Sequence, residues 1–219
     1  MVQTPLQSLI SRIHQQLLPH VQLESFDVHN PVVVSVVPAP WELLGTGNYA
    51  AVFCHPDFPE EVVKIYAPGR PGWHEEVEVY RRLGEHPAFS SCLYAEPSFL
   101  VLKRLYGVTL YDCVQQGLYI PKHVIQDIDA ALAIAKQRGL HPHDVHGRNV
   151  MMWQGRGFVV DISDFLNPEP CQAWDDLKRA YYWLYRPVFS WLRLRVPRQS
   201  LDAVRWIYRR YRNYIRRTR

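Results

Sequence analysis

Read from its start, the chain offers a short series of groups suited to handling ions and protons. The first is a glycine-bearing turn, Gly45-Thr46-Gly47-Asn48-Tyr49-Ala50, and the second a lysine among apolar neighbours, Val62-Val63-Lys64-Ile65-Tyr66. Glu75, Glu76 and Glu78 follow, then the polar run Asp144-Val145-His146-Gly147-Arg148-Asn149, and finally Asp161 at the end of Phe158-Val159-Val160. Each feature has an ordinary reading when taken alone. A Gly-x-Gly turn between strands is a common hairpin, and a strand lysine can run its stem along the sheet edge to water. The order of the whole set is the specific signal.

Those groups need elements to hold them. Thr4-Pro5-Leu6-Gln7 is a capped helix start, and Leu6, Leu9, Ile10, Ile13 and Leu17 repeat at helical spacing until Pro19. The β-branched run Val32 to Val37, bounded by prolines, predicts a short buried strand. Trp41 to Leu44 and Ala51 to Cys54 flank the glycine turn as strands, His55 to Glu60 has turn composition, and Val62 to Tyr66 is a third strand. His74 to Leu83 reads as a helix carrying Glu75, Glu76 and Glu78. Phe99 to Leu102 is a strand ended by Lys103-Arg104-Leu105. Ile125, Ile128, Leu132 and Ala135 mark one face of a helix from Lys122 to Gln137, stopped by Gly139. Val150 to Trp153 and Phe158 to Asp161 form a hairpin around Gly155-Arg156-Gly157. Trp174 to Tyr185 and Ser200 to Arg217 are the last helices.

Strands followed by helices give an α+β chain, which divides into a helical and strand extension (1–40), a β-rich lobe (41–105), a helical lobe (106–199) and a basic helix (200–219). At 47% hydrophobic and 13% aromatic the chain can bury a sizeable core, which excludes wholesale disorder. No apolar run approaches ~18 residues, so neither a transmembrane span nor a secretory signal is expected. Cys54, Cys92, Cys113 and Cys171 are scattered and read as small core residues of a reduced, cytoplasmic protein.

The ordered set resembles the protein-kinase-like superfamily over about Leu44 to Asp161: Gly-rich loop, strand lysine, helix glutamate, an Asp-x-x-x-x-Asn loop (Asp144 to Asn149) and a following Asp. The resemblance implies a two-lobed fold with a β-rich N-lobe and a shortened helical C-lobe, and it implies ATP and Mg²⁺. Under it, Gly45 and Gly47 lie against phosphate, and Lys64 pairs with phosphates while held by Glu76, with Glu75 the runner-up. Val52 and Leu102 sandwich the adenine, and the backbone from Lys103 to Leu105 is the hinge. Asn149 and Asp161 hold Mg²⁺, and Asp144 orients the attacking hydroxyl. Asp164 is a second candidate for the metal carboxylate.

The sequence also departs from the eukaryotic-type pattern. Ala50 replaces the third glycine, and Pro142-His143 replaces His-Arg before the Asp. His146 stands where protein kinases keep a lysine, and Asp161-Ile162-Ser163 replaces Asp-Phe-Gly. Only 58 residues follow Asp161, and no Ala-Pro-Glu element is present. The Asp-x-His-x-x-Asn form is similar to aminoglycoside-phosphotransferase-like and lipopolysaccharide-kinase-like members, and the short C-lobe is similar to RIO and small tRNA-modification-associated kinases. Asp175 or Asp176 braces the catalytic loop or simply starts a surface helix.

The expected reaction is transfer of the ATP γ-phosphoryl group to a hydroxyl, with protein Ser/Thr as acceptor. The alternatives are a small-molecule or sugar kinase, and a pseudokinase or ATPase that binds RNA. His141, His143 and His146 read as loop histidines rather than a zinc site. The aromatic run Tyr181 to Tyr185, with Phe189 and Trp191, reads as C-lobe core rather than a base-stacking platform. From Arg193 onward there are ten arginines and one acid, a charge of +9, while the preceding residues carry −5. Leu201, Val204, Tyr208, Tyr211 and Ile215 form an apolar stripe beside Arg205, Arg209, Arg212 and Arg216. This tail reads either as a packed helix with a basic rim or as a contact for RNA or an anionic membrane.

Overall fold

The Thr4 hydroxyl accepts from the Gln7 N–H while the Gln7 side chain accepts from the Thr4 N–H, and this capping box starts helix α1, Pro5–Arg12. In the computed structural model, which describes residues 4–27, 30–189, 195–200, 203, 206 and 210, the helix continues as a wider π-type turn, Ile13–Leu17. The chain then makes β1 (Gln22–Glu24), β2 (Val33–Val36), β3 (Glu42–Thr46), β4 (Ala50–His55), β5 (Phe58–Tyr66), α2 (Trp73–Leu83), β6 (Cys92–Glu96) and β7 (Phe99–Lys103). Next come β8 (Val108–Thr109), α3 (Leu110–Gln116), α4 (Lys122–Gln137), β9 (Val150–Trp153), β10 (Arg156–Val159), α5 (Ala173–Ala180) and a second π-type stretch, Tyr181–Phe189. The architecture is α+β. Most of the predicted basic helix, including the Leu201 to Ile215 stripe and its arginines, lies outside the described residues. No helix among the described residues is long and apolar enough to cross a membrane.

The chain forms two compact units. The first is Met1–Leu105 with Ile134–His143 and Ile162–Glu169; the second is Tyr106–Ala133, Asp144–Asp161 and Pro170–Arg219. In the first unit, five antiparallel strands lie in the order β3-β4-β5-β7-β6. Val52 stands opposite Lys64, Lys64 opposite Leu100, and Val62 opposite Leu102. Because side chains alternate along a strand, Val52, Val62, Lys64, Tyr66, Leu100 and Leu102 share one face. Ala51, Phe53, Val63, Ile65, Phe99 and Val101 share the other, and they form one buried cluster with Leu9, Ile13, Leu17, Leu23, Val32 and Trp41. The N-terminal extension therefore covers the back of the sheet, and the face bearing Lys64 is left to the site.

Several boundaries differ from the expectation, each for a local reason. Only Val32 of the predicted buried strand is in the core; Val33 and Val36 are exposed, because β2 pairs with β1 in a separate two-stranded ribbon. The predicted turn from His55 to Glu60 shrinks to Pro56-Asp57, and β5 begins at Phe58. Cys54 and Cys113 are core residues, but Cys92 and Cys171 are only partly buried, and all four thiols are free.

In the second unit β10, β9 and β8 form an antiparallel sheet. The β9–β10 turn falls on Gln154 and Gly155, both at positive φ, one residue earlier than predicted, so β10 ends at Val159 rather than Asp161. A Cβ on Gly157 would meet the Val124 carbonyl oxygen at 2.4 Å and Ile128 at 2.9 Å. Gly157→Ala should thus push β10 off α4, and a loss of about 2–3 kcal/mol is expected from overpacking. Chemical unfolding of that variant checks it. Tyr181 donates to the Ile120 carbonyl and Tyr185 to the Leu118 carbonyl, with the two rings stacked. The aromatic run is split, however: Tyr181 is buried, while Trp183 is 84% exposed.

Candidate active site

In the first unit the site is built on the Lys64 face of the sheet. β3 and β4 flank the glycine turn, where the Gly47 N–H donates to the Ala50 carbonyl and the Gly47 carbonyl accepts from the Val32 N–H. A Cβ on Gly45 would meet nothing within 4 Å, and one on Gly47 only the Ala50 carbonyl at 3.7 Å. The protein's own packing does not demand glycine at either place. Open space over glycines in a turn is what a phosphate group needs to approach backbone N–H groups closely.

Lys64 Nζ donates to Glu76 Oε2 at 2.6 Å, and the side chains are 13% and 1% exposed. Helix α2 presents Glu76 inward together with Val79, Tyr80 and Leu83, and the helix is fixed to β7 by the Trp73 indole N–H donating to the Phe99 carbonyl. Glu75 instead lines a pocket of about 300 Å³ together with Tyr49, Gly72, Ser163, Asp164 and Asn167. At the expected hinge the Lys103 N–H donates to the Ser91 carbonyl, its carbonyl accepts from the Ser90 hydroxyl, and the Arg104 N–H donates to the Glu60 carbonyl. The next main-chain donor is the Leu105 amide.

The second unit supplies the polar loop. Asp144 sits at φ +51, a left-handed conformation that Asp tolerates better than most residues, and its carboxylate is 53% exposed. The loop is closed by three bonds: the Asn149 side-chain amide donates to the Asp144 carbonyl (3.1 Å), the Asn149 N–H to the His146 carbonyl (2.8 Å), and the Arg148 N–H to His146 Nδ1 (3.3 Å). With Nδ1 accepting, the ring proton is on Nε2, which lies 3.6 Å from Asp144 Oδ2. The Val160 N–H donates to the Asn149 carbonyl, setting Asp161 one residue beyond a direct tie to Asn149. The Asn149 side-chain oxygen and the Asp161 carboxylate are hard oxygen donors. One carboxylate plus an amide is a set Mg²⁺ accepts when phosphate and water complete its shell, so the residues present fit the cation.

The structure therefore gathers Gly45, Gly47, Val52, Lys64, Glu76, Leu102, Lys103 and Leu105 in one unit, and Asp144, Asn149 and Asp161 in the other. Asp164 belongs to the first unit and Asn149 to the second. His141 and His143 fall in the first unit and His146 in the second, and no cluster of three metal-binding side chains occurs among the described residues. Gln172 stands at the N-cap position of α5 without a side-chain capping bond; Asp175 pairs with Lys178 and Asp176 with Arg179. Sequence reasoning missed three supports of the loop. The Tyr111 N–H donates to the Gly147 carbonyl, the Arg148 guanidinium lies 4.2 Å over the Tyr111 ring, and the Asp144 N–H donates to Cys171 Sγ. Thr109 caps α3 by accepting from the Asp112 N–H, and its Thr-x-x-Asp spacing was the signal for that helix.

A glycine turn, a lysine–glutamate pair and an Asp-x-x-x-x-Asn loop before a second aspartate are the features of a protein-kinase-like protein, and the chain is similar to that superfamily. It is similar to "Putative serine/threonine-protein kinase YrzF" of Bacillus subtilis (strain 168), 29% identical over 172 residues that cover 77% of this chain and 79% of that one. No model of a known protein family matches the sequence. Among solved structures a mutant form of the Mycobacterium tuberculosis PknI kinase domain aligns with a TM-score of 0.46 and 20% identity over 67% of this chain; the chain spans 65% of that domain.

Proposed function

We propose that this protein is an atypical Mg²⁺- and ATP-dependent phosphotransferase whose acceptor is a protein serine or threonine hydroxyl. The observation that carries the reading is the Lys64–Glu76 pair, with Glu76 1% and Lys64 13% exposed, on the sheet face shared with Val52 and Leu102. A buried ion pair is a poor device for stability, because apolar residues of the same volume commonly serve as well or better. Its presence is explained by a ligand for which the lysine must be charged and aimed. The similarity to a protein named as a serine/threonine kinase supports the acceptor class.

ATP supplies the transferable γ-phosphoryl group, and Mg²⁺ neutralises its charge. Lys64, aligned by Glu76, holds phosphate oxygens. Val52 and Leu102 provide apolar walls for a base, and the Leu105 amide a donor to its edge. Asn149, turned by its bond to the Asp144 carbonyl, offers its oxygen beside Asp161 for the cation. Asp144, exposed and aimed by its left-handed backbone, accepts the proton of the attacking hydroxyl.

One feature favours a second reading. His146 replaces the lysine of protein kinases and lies against Asp144, the form similar to small-molecule phosphotransferases. Incubation with γ-labelled ATP and, separately, a generic protein, aminoglycosides and sugars, or buffer alone decides between them. Label on protein serine or threonine is expected. Label on small molecules supports the second reading, and free phosphate alone overturns both.

A further inference from the structure

Two donors converge on one carboxylate oxygen in the first unit. Glu76 Oε2 accepts from Lys64 Nζ at 2.6 Å and also from the Tyr66 hydroxyl. Lys64 and Tyr66 are two residues apart on β5, so they project from the same face, and Tyr66 is buried like the carboxylate it meets. The ring is held in place from the side. Gly72, the residue before α2, sits at φ +109, and a Cβ there would come to 3.5 Å from Tyr66 Cε1 and 3.8 Å from Tyr49 Cδ2. The start of α2 is thus fitted around the Tyr66 ring, and the hydroxyl is delivered to Glu76 one turn later.

The two donors differ in what a ligand does to them. Lys64 carries a charge that a phosphate group competes for, and each share of it given to phosphate is withdrawn from Glu76. A carboxylate sealed from water cannot recruit solvent to replace that donor. The Tyr66 hydroxyl is neutral, so phosphate exerts no comparable pull on it. We propose that Tyr66 is a positioning residue for nucleotide binding, holding the Glu76 carboxylate in place and solvated while Lys64 divides its charge between Glu76 and phosphate. The inference rests on the phosphotransferase reading above and adds a third member to its lysine–glutamate pair.

The test is a double-mutant cycle read by binding. Affinity for a fluorescent ATP analogue with Mg²⁺ is measured for wild type, Tyr66→Phe, Glu76→Gln and the double variant, with circular dichroism melts confirming that each is folded. Tyr66→Phe keeps the ring that packs against Gly72 and removes only the donor. It is expected to weaken binding by about fivefold to tenfold, the scale of one hydrogen bond to a charged group. In the Glu76→Gln background the same change is expected to cost less than about twofold, because the charge it serves is gone. A role confined to packing would give equal losses in both backgrounds, and that result overturns the inference, as does unchanged binding by Tyr66→Phe. Failure of the wild type to bind nucleotide would instead overturn the phosphotransferase reading, and this inference with it.

Discussion

Replacing Asp144 by asparagine is expected to lower phosphoryl transfer by about a thousandfold while nucleotide affinity changes less than about twofold. The choice of asparagine follows from the backbone. Asp144 is held at φ +51, where alanine adds a conformational cost of about 1 kcal/mol or more, but asparagine is at home. The substitution keeps the left-handed turn and the Asp144 carbonyl that accepts from the Asn149 side chain. Only the carboxylate's capacity to take a proton is lost. Asp144→Ala should give the same loss of transfer with a small additional loss of stability. Asp161→Ala separates the roles: it is expected to abolish activity by removing Mg²⁺-dependent nucleotide binding, seen by titration calorimetry with and without the cation. Transfer persisting at the wild-type rate in either Asp144 variant would remove this residue from the mechanism, and persistence in Asp161→Ala would remove the metal assignment.

Glu76→Ala is expected to cost about 3–5 kcal/mol of folding stability, the scale for breaking a buried pair and leaving its cation behind. Glu76 is 1% exposed, and its removal takes away a carboxylate that accepts from both Lys64 and the Tyr66 hydroxyl. For a chain of this length such a loss lowers the melting temperature by roughly 6–20 °C. Two controls identify the cause. The loss should be insensitive to salt, since buried charges are screened far less than exposed ones. Lys64→Met in the Glu76→Ala background should restore part of the stability, because it removes a largely buried charge that has lost its Glu76 carboxylate. Surface pairs give the contrast: Glu78, which Arg81 and Arg82 hold down to a pKa of about 2 by hydrogen bonds, makes both of its pairs where solvent reaches them and should be replaceable with little effect. A melting temperature unchanged in Glu76→Ala would mean that Lys64 reaches water in solution.

The groups proposed to carry the chemistry stand out in the sequence because their signals are local. Glycines in a turn, a lysine breaking a β-branched strand, and an Asp and Asn at fixed spacing are written within a few residues of one another. The strand bearing Lys64 followed from its apolar run, although it begins at Phe58, and the span of α4 from helical periodicity with a glycine stop. Elements held by partners far along the chain were not legible. β1 and β6 are short and weakly patterned, and pairing with other strands stabilises them. The exposure of β2 depended on the ribbon it joins, which Val33 and Val36 do not announce.

The sequence by itself determined which groups are present and the face of β5 on which Lys64 and Tyr66 must lie, because a strand alternates whatever it packs against. Helical spacing favours Glu76 over Glu75, because Glu76 shares a face with Tyr80 and Leu83, and only the tertiary structure brought that face onto Lys64. The same holds for the second donor on Glu76, and for the N-terminal extension, whose Leu9, Ile13, Leu17 and Val32 complete the core behind the face that bears Lys64. Those facts depend on contacts between residues distant in sequence, and no local pattern encodes them.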